Sequence, residues 1–252
     1  MKLAVVVLRS PPVHGTRVCW AHADDGAPGY CTRRNGSVVS LRAPEAIGIA
    51  ERITDRLIGR GSGRVDDETV REIVLDSMRR YRHLDHPASH VRALAAQLAR
   101  DRIDALEWSE QPRRLKLPAS FLFICAGNAG RSQIAAAVMR AIAPCATRTV
   151  SAGDHPAPRI LPAVIDALDE IGVPAFGEYP KPLTPEFVAA AQHIVVLDCD
   201  DALELLNGRA RLRWSIPLDS HSGKQAVRHM RDQIAEQVRR LARDVGLDVG
   251  PL

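Results

Sequence analysis

Aromatic side chains are scarce in this sequence, since 3 Trp, 3 Tyr and 4 Phe make up 4% of its 252 residues. Its core must therefore be built mainly from aliphatic side chains, and a site lined by several aromatic rings is not expected. The scarcity does not indicate disorder, because 46% of the residues are hydrophobic and 25% are charged, as is usual for globular proteins. The length suits one compact domain and a smaller one.

Long apolar runs and a dominant sign of charge are also missing. No run approaches the roughly 20 residues that a membrane-spanning helix needs. Residues 1–8 are too short for the core of a signal peptide and are interpreted as a strand. We therefore expect a cytoplasmic protein without a membrane partner. With 34 Lys and Arg interspersed among 30 Asp and Glu, the charges do not favour a nucleic-acid partner and suit an enzyme for an anionic substrate.

Cysteines are few and odd in number, which does not fit a disulfide framework. The five are Cys19, Cys31, Cys125, Cys145 and Cys199. Cys19, His22 and Cys31 offer three metal ligands, but no fourth follows at a spacing typical of zinc sites. No metal site is therefore predicted. In a reducing compartment each cysteine is either buried packing or part of the chemistry.

The N-terminal part divides into two predicted regions. Residues 1–44 form an extension of unknown role, in which short apolar runs at 3–8 and 37–41 could pair as strands. Residues 45–110 carry apolar side chains at every third or fourth position, which predicts a bundle of three amphipathic helices. The mixed charge of this bundle favours a packing module or the interface of a homodimer. The alternative is a DNA-binding three-helix unit.

A second domain is predicted at 119–248, after a linker bounded by prolines. Predicted strands lie at 121–124, 149–151, 193–197 and 212–216, and predicted helices at 132–142, 160–171, 185–191, 201–206 and 226–245. The alternation predicts an α/β fold, with a four-stranded parallel sheet that is doubly wound, behind the N-terminal three-helix bundle. Ligands of such sheets bind at the carboxyl ends of the strands.

One stretch of this domain carries chemistry. It reads Cys125-Ala-Gly-Asn-Ala-Gly-Arg131-Ser132 and lies between a predicted strand and a predicted helix. Gly127 and Gly130 are free to take positive φ, so the loop can turn successive backbone N–H groups inward. The next helix adds its own unpaired N–H groups. The predicted cup for a tetrahedral oxyanion is formed by Ala126, Gly127, Asn128, Ala129, Gly130 and Arg131.

The side chains of the stretch have separate predicted roles. Arg131 closes the cup with a two-pronged contact to the anion. The positive surroundings favour a thiolate at Cys125, to which Ser132 can donate a hydrogen bond. Asn128 can hold the loop by bonds to the backbone. A buried strand-end cysteine without function is the alternative, and the complete context of strand, loop and helix argues against it.

The stretch, together with Ser151-Ala-Gly153 and Pro180-Lys-Pro-Leu-Thr184, resembles the low-molecular-weight phosphatase superfamily over residues 121 to 245. Within it the sequence is most similar to arsenate reductases of the actinobacterial type, the arsenate–mycothiol transferases. The helical stretch 45–108 resembles an N-terminal extension found on some of these proteins. The resemblance implies the low-molecular-weight phosphatase fold, with catalytic roles for Cys125, Arg131 and Ser132.

The resemblance also implies a substrate and its partners. The substrate would be arsenate or a phosphate-like oxyanion, with no bound cofactor and with the low-molecular-weight thiol mycothiol as co-substrate. A glutaredoxin-type redoxin would release the product. The alternative in the same family is a protein tyrosine phosphatase that hydrolyses phosphate monoesters. A rival of another class is a DNA-binding regulator that only senses the oxyanion.

Two further residues are assigned through the resemblance. The family places a general acid after the fourth strand, and Asp219 follows Trp214 there, displaced by one residue and without the usual Pro. An ordinary solvated loop carboxylate is the alternative for Asp219. Cys199 resembles the first resolving cysteine of thioredoxin-coupled relatives, but the second is missing. Cys199 is thus interpreted as a buried strand-end residue or as a redox residue.

Overall fold

The computed structural model describes most of the chain. The described residues are 30–34, 37–41, 43–59, 63–82, 84, 87–111, 118–175, 177–199, 206, 211–216 and 223–251. By their contacts the residues divide into two units, 1–47 and 48–252. Within the described residues, no helix is long and apolar enough to cross a bilayer.

The first unit contains a hairpin of two short strands. Strands β1 (Tyr30–Arg34) and β2 (Ser37–Leu41) pair antiparallel, with Thr32 opposite Val39. Residues 37–41 form a strand, as expected, and pair with β1; their predicted pairing with residues 3–8 stays a prediction. Residues 3–8, Cys19 and His22 lie outside the described residues, so the remaining predictions for the extension stay untested.

Three helices follow, as the apolar periodicity predicts. They are α1 (Ala43–Ile58), α2 (Asp67–Tyr81) and α3 (Ala88–Ser109). Helix α2 begins where Asp66 accepts a hydrogen bond from the Thr69 N–H at 2.9 Å, an N-cap that satisfies one of the free N–H groups of the first turn. One cluster of buried side chains joins the three helices and contains Ala50, Leu57, Val70, Ile73, Val74, Ala99 and Ile103.

The helices do not form an independent bundle. Tyr81, Leu94 and Leu98 share a second cluster with Leu122 and Ile124 of the sheet. Helices α2 and α3 therefore cover one face of the sheet, and their apolar surface is buried in the same core as that of the strands.

The sheet has four parallel strands in the order β4-β3-β5-β6. They are β3 (Ala119–Cys125), β4 (Thr147–Gly153), β5 (His193–Leu197) and β6 (Leu212–Trp214). Cys125 is opposite Gly153 in the register of β3 and β4. Both residues thus lie at the carboxyl edge of the sheet, where ligands of such folds bind.

Helices cover both faces of the sheet, and the predicted fold class is confirmed. They are α4 (Arg131–Ile142), α5 (Pro162–Asp169), α6 (Pro185–Ala190) and α7 (Gly223–Asp244). Along β3, Phe121, Phe123 and Cys125 belong to the core cluster beneath α4, α5 and α7, while Leu122 and Ile124 belong to the opposite one. This alternation is the period of two expected for a strand buried on both faces. The predicted helix at 201–206 lies outside the described residues except for Leu206.

Candidate active site

The loop between Cys125 and Arg131 turns its carbonyl groups away from its centre. The carbonyls of Ala126, Gly127 and Ala129 accept hydrogen bonds from N–H groups of the segment 155–161, at 2.9, 2.8 and 3.0 Å. The carbonyl of Asn128 accepts from Gln133 Nε2 at 3.0 Å. In a trans peptide the C=O and the next N–H point in opposite directions. Four successive N–H groups, those of residues 127–130, therefore face the centre of the loop.

The inward N–H groups form an anion site together with α4. That helix begins at Arg131, so its first unpaired N–H groups and its positive end point at the same place. A tetrahedral oxyanion of charge −1 or −2 is matched there by donors that already face it.

The left-handed residue of the loop is Asn128, with φ at 44°. Gly127 and Gly130 do not use their freedom to take positive φ, since Gly130 has φ at −142° and Gly127 is not among the glycines with positive φ. Asn tolerates this conformation better than most residues because its short polar side chain can bond locally. Its buried side chain does so here, with Nδ2 donating to Ser132 Oγ at 2.8 Å.

Cys125 is buried at the end of β3, with its sulfur 2.9 Å from Ser132 Oγ. Asn128 Nδ2 donates to that same oxygen, and Ser132 can still donate its own proton to the sulfur. The role of Ser132 as a donor to a thiolate stays a prediction.

The Asn128 side chain is also fixed by the segment that follows α5. Its Oδ1 accepts from the backbone N–H of Lys181 at 2.7 Å.

Gly153 lies directly beneath the loop, where an added Cβ would come within 2.7 Å of the Ala126 carbonyl oxygen and 2.8 Å of the Asn128 nitrogen. The loop thus rests on backbone atoms that leave no space for a side chain at residue 153.

Arg131 carries an ion pair that the sequence patterns did not indicate. Its Nη1 lies 2.8 Å from Asp198 Oδ2, with both side chains partly exposed, at 16% and 29%. The same carboxylate oxygen accepts from the backbone N–H of Ile216 at 2.8 Å. Asp198 has φ at 44°. Asn128 and Asp198 are the two non-glycine residues of positive φ in the described part of the chain, and both lie at this edge of the sheet.

Asp198 fixes one side of the Arg131 guanidinium and leaves its other donors for an anion. A guanidinium offers five N–H donors in a plane, so one ion pair does not exhaust it. The position of Asp198, one residue past β5, is itself a signal, because side chains that follow parallel strands gather at the ligand-binding edge.

The remaining predicted site residues fall into two groups. Asp219, with its neighbour His221, lies outside the described residues, and its role as general acid stays a prediction. Cys199 is buried among Leu122, Ile124 and Leu206, in the cluster on the face of the sheet opposite that of Cys125. Its redox role also stays a prediction. In the described residues no group of three side chains of the metal-binding types is close enough to hold a metal ion.

Comparisons with known proteins identify the family to which the chain belongs. Among solved structures the chain is similar to the thioredoxin-dependent arsenate reductase Cg_ArsC1' of Corynebacterium glutamicum, with 30% identity and a TM-score of 0.69, over 79% of this chain and 96% of that one. An arsenate reductase of Archaeoglobus fulgidus shares 26% identity over 49% of this chain and 98% of its own, with a TM-score of 0.43.

The tyrosine phosphatase Wzb of Escherichia coli K30 shares 20% identity over 52% of this chain and 100% of its own, with a TM-score of 0.44. Residues 120–249 match the model of the low molecular weight phosphotyrosine protein phosphatase family. This range contains the four strands of the parallel sheet, the Cys125 loop and the final helix. The chain therefore belongs to the low molecular weight phosphotyrosine protein phosphatase family of enzymes, as the resemblance of its Cys125 loop predicted.

Proposed function

We propose that this protein is an arsenate reductase that acts by thiol transfer through Cys125. The observation that supports this function is the loop between Cys125 and Arg131, whose carbonyl groups at 126–129 are bonded to other groups of the protein, so that its N–H groups are left for an anion. The preference for arsenate rests on the Corynebacterium glutamicum reductase, because the similarity to it extends over 79% of this chain, beyond the 130 residues of the family domain. A soluble thiol pathway requires a reducing compartment, so a cytoplasmic location is part of the proposal.

In the first step the Cys125 thiolate attacks the arsenic of arsenate and forms an S–As bond. One As–O bond breaks, and the departing oxygen leaves as water after it receives a proton, for which Asp219 is the proposed donor. The loop N–H groups and Arg131 stabilise the additional negative charge on the oxygens in the transition state. No bound metal or organic cofactor enters this step.

In the second step an external thiol attacks the arsenic, and Cys125 leaves as thiolate. A further thiol, from a glutaredoxin-type redoxin, then attacks the sulfur of that arsenic–thiol adduct. A disulfide forms, and arsenic departs as arsenite, so two electrons pass from two thiols to As(V). Mycothiol is the proposed first thiol. The name of the Corynebacterium glutamicum relative makes thioredoxin the competing reductant.

The placement of Cys199 favours an external thiol over an internal disulfide. Cys199 and Cys125 belong to apolar clusters on opposite faces of the sheet. A disulfide between them would require Cys199 to leave its cluster. The second candidate function, hydrolysis of phosphate monoesters, would use the same loop with water as the second nucleophile. It is favoured by the family match alone.

One experiment separates these functions. Arsenate-dependent consumption of mycothiol, in the presence of a glutaredoxin-type redoxin, and of thioredoxin would be measured beside hydrolysis of p-nitrophenyl phosphate, with Cys125→Ser as the control in every arm. Arsenite production with either thiol, well above aryl phosphate hydrolysis, is the expected result, and the more efficient thiol identifies the reductant. Fast aryl phosphate hydrolysis without arsenite production would refute arsenate reduction. Turnover by Cys125→Ser would exclude both functions.

A further inference from the structure

We infer that helices α2 and α3 position the oxyanion loop through residues 177–186, which we term the bracing segment. This inference deepens the proposed function, because it assigns positioning residues outside the family domain to the same site. It rests on a chain of hydrogen bonds between the helices, the bracing segment and Asn128.

The bracing segment is bound to the loop on one side. The backbone N–H of Lys181 donates to Asn128 Oδ1 at 2.7 Å. Gln133 Nε2 bridges the Asn128 carbonyl and the Tyr179 carbonyl, at 3.0 Å each. The N–H of Gly153 donates to the Lys181 carbonyl at 2.8 Å. The left-handed conformation of Asn128 thus depends on where the bracing segment lies.

The other side of the segment is bound to the helices. Tyr81 of α2 donates its hydroxyl proton to the Pro180 carbonyl at 2.8 Å, in a buried position. Tyr179 donates its own hydroxyl proton to Asp101 of α3 at 2.6 Å. Gln97 of α3 donates to the Gly177 carbonyl at 3.2 Å. The segment is therefore held from both sides over its length.

Arg102 fixes the end of the segment. It lies in α3, is 4% exposed and donates to both carboxylate oxygens of Glu186, at 3.0 and 2.8 Å. Its Nη1 reaches Asp76 of α2 at 2.7 Å. Such two-pronged contacts define direction as well as distance, so one side chain ties α2 and α3 to the start of α6.

Tyr179 links α3 to the loop through its own side chain and backbone. Its carbonyl oxygen accepts from Gln133 and its hydroxyl donates to Asp101. Burial raises the pKa of the Asp101 carboxyl, and the hydrogen bond from Tyr179 opposes that shift. A buried carboxylate keeps a strong partner because losing it leaves the charge without compensation. The hydroxyl of Tyr179 therefore keeps its hydrogen bond to Asp101 of α3, and the Tyr179 carbonyl keeps its hydrogen bond from Gln133.

The test removes single hydroxyl groups. Tyr81→Phe and Tyr179→Phe each delete one oxygen and keep the ring. Ser109→Ala in α3 is the control, because it also deletes one oxygen, but that hydroxyl donates to the Leu106 carbonyl of the same helix, at 2.8 Å. The first measurement is the affinity for inorganic phosphate, read as protection of Cys125 from iodoacetamide. The second measurement is the kcat and KM of the substrate that the assay proposed above identifies as the best. Neither phosphate binding nor alkylation requires arsenate chemistry, so failure of the proposed function would not be mistaken for failure of this inference.

We expect Tyr81→Phe and Tyr179→Phe to weaken phosphate binding by about three- to tenfold, the size of one buried hydrogen bond, with Ser109→Ala unchanged. The rate of Cys125 alkylation should change with them, because Asn128 and Ser132 hold the sulfur. Circular dichroism and urea unfolding identify the folded variants. Phosphate affinity and alkylation equal to wild type in both folded variants would overturn the inference, even with lowered stability. If only one variant folds, its phosphate affinity decides the question in the same way.

Discussion

Asp198 is the residue whose charge most directly affects Arg131. Asp198→Asn would remove the ion pair at 2.8 Å, while an Asn oxygen could still accept from Ile216. We expect kcat to fall by about tenfold, less than the hundredfold or more that accompanies loss of a whole oxyanion donor. Phosphate binding should stay equal or become tighter, because a negative charge near the anion is removed. Steady-state kinetics with phosphate inhibition measure both. A kcat within twofold of wild type would mean that Arg131 does not need Asp198.

Gly153 tests the contact beneath the loop. In Gly153→Ala the new Cβ would meet backbone atoms at 2.7–2.8 Å, and the loop must move to relieve the overlap. We expect kcat/KM to fall by about a hundredfold, the order seen for a displacement near 1 Å at a reacting group. Gly172→Ala is the control, because Gly172 has positive φ in open space and its replacement should cost stability without affecting catalysis. Normal activity of Gly153→Ala would show that the loop tolerates the displacement.

At the residue scale, the sequence predicted the roles that depend on local order along the chain. Cys125, Arg131 and Ser132 lie within eight positions and were recognised by their spacing. The positive φ of Asn128 was not predicted, because the residue that bonds its side chain, Lys181, lies 53 positions away. Asp198 was missed since its partner Arg131 is 67 positions away and only the sheet brings them together.

At the element scale, Glu170 connects the end of α5 with α7. Arg228 Nε donates to it at 2.8 Å and Arg231 Nη1 at 3.1 Å. The hydrogen bonds from Arg228, with the added charge of Arg231, lower the pKa of Glu170 from 4.5 to about 2. A carboxyl group with a lowered pKa in the folded state contributes stability above its unfolded pKa, and that contribution is lost as the pH falls.

Glu170→Gln should therefore lower the free energy of unfolding at pH 7, and the difference from wild type should shrink between pH 4.5 and about pH 2. Urea unfolding at several pH values measures the difference. Added salt should reduce it, because the pair is partly exposed. Glu68→Gln is the control, since Glu68 pairs with Arg71 within one exposed turn of α2 and should contribute little. A difference that grows toward acidic pH would contradict the assignment.

Element types followed from periodicity more reliably than element ends. Strand β5 (His193–Leu197) has the predicted bounds, because its apolar run is buried over its whole length. Strand β6 ends at Trp214 instead of Ile216. The hairpin of β1 and β2 was not predicted, since β1 reads Tyr-Cys-Thr-Arg-Arg and has no apolar alternation.

At the scale of the whole molecule, α2 and α3 share their core with the sheet, so the second unit should unfold in one transition. Arg102→Met would leave Glu186 and Asp76 without their central partner. We expect a loss of about 3 kcal/mol, the lower end for a broken buried ion pair, because Asp76 is partly exposed. Far-UV circular dichroism and Cys125 alkylation, followed against urea, should shift together. Two separate transitions in the wild type would show that the helices fold by themselves.

The contacts of Arg102 and Tyr81 also determine an order of events during synthesis. Their partners, Glu186 and Pro180, follow 84 and 99 positions later in the chain. The ribosome adds residues at about 5–20 per second, so α2 and α3 wait several seconds with an apolar face that is not yet covered and with Arg102 lacking its second carboxylate partner, Glu186. Contacts of such long sequence separation slow folding. The nascent helices are therefore the part of this protein that a chaperone would bind first, until the segment that completes the active site has left the exit tunnel.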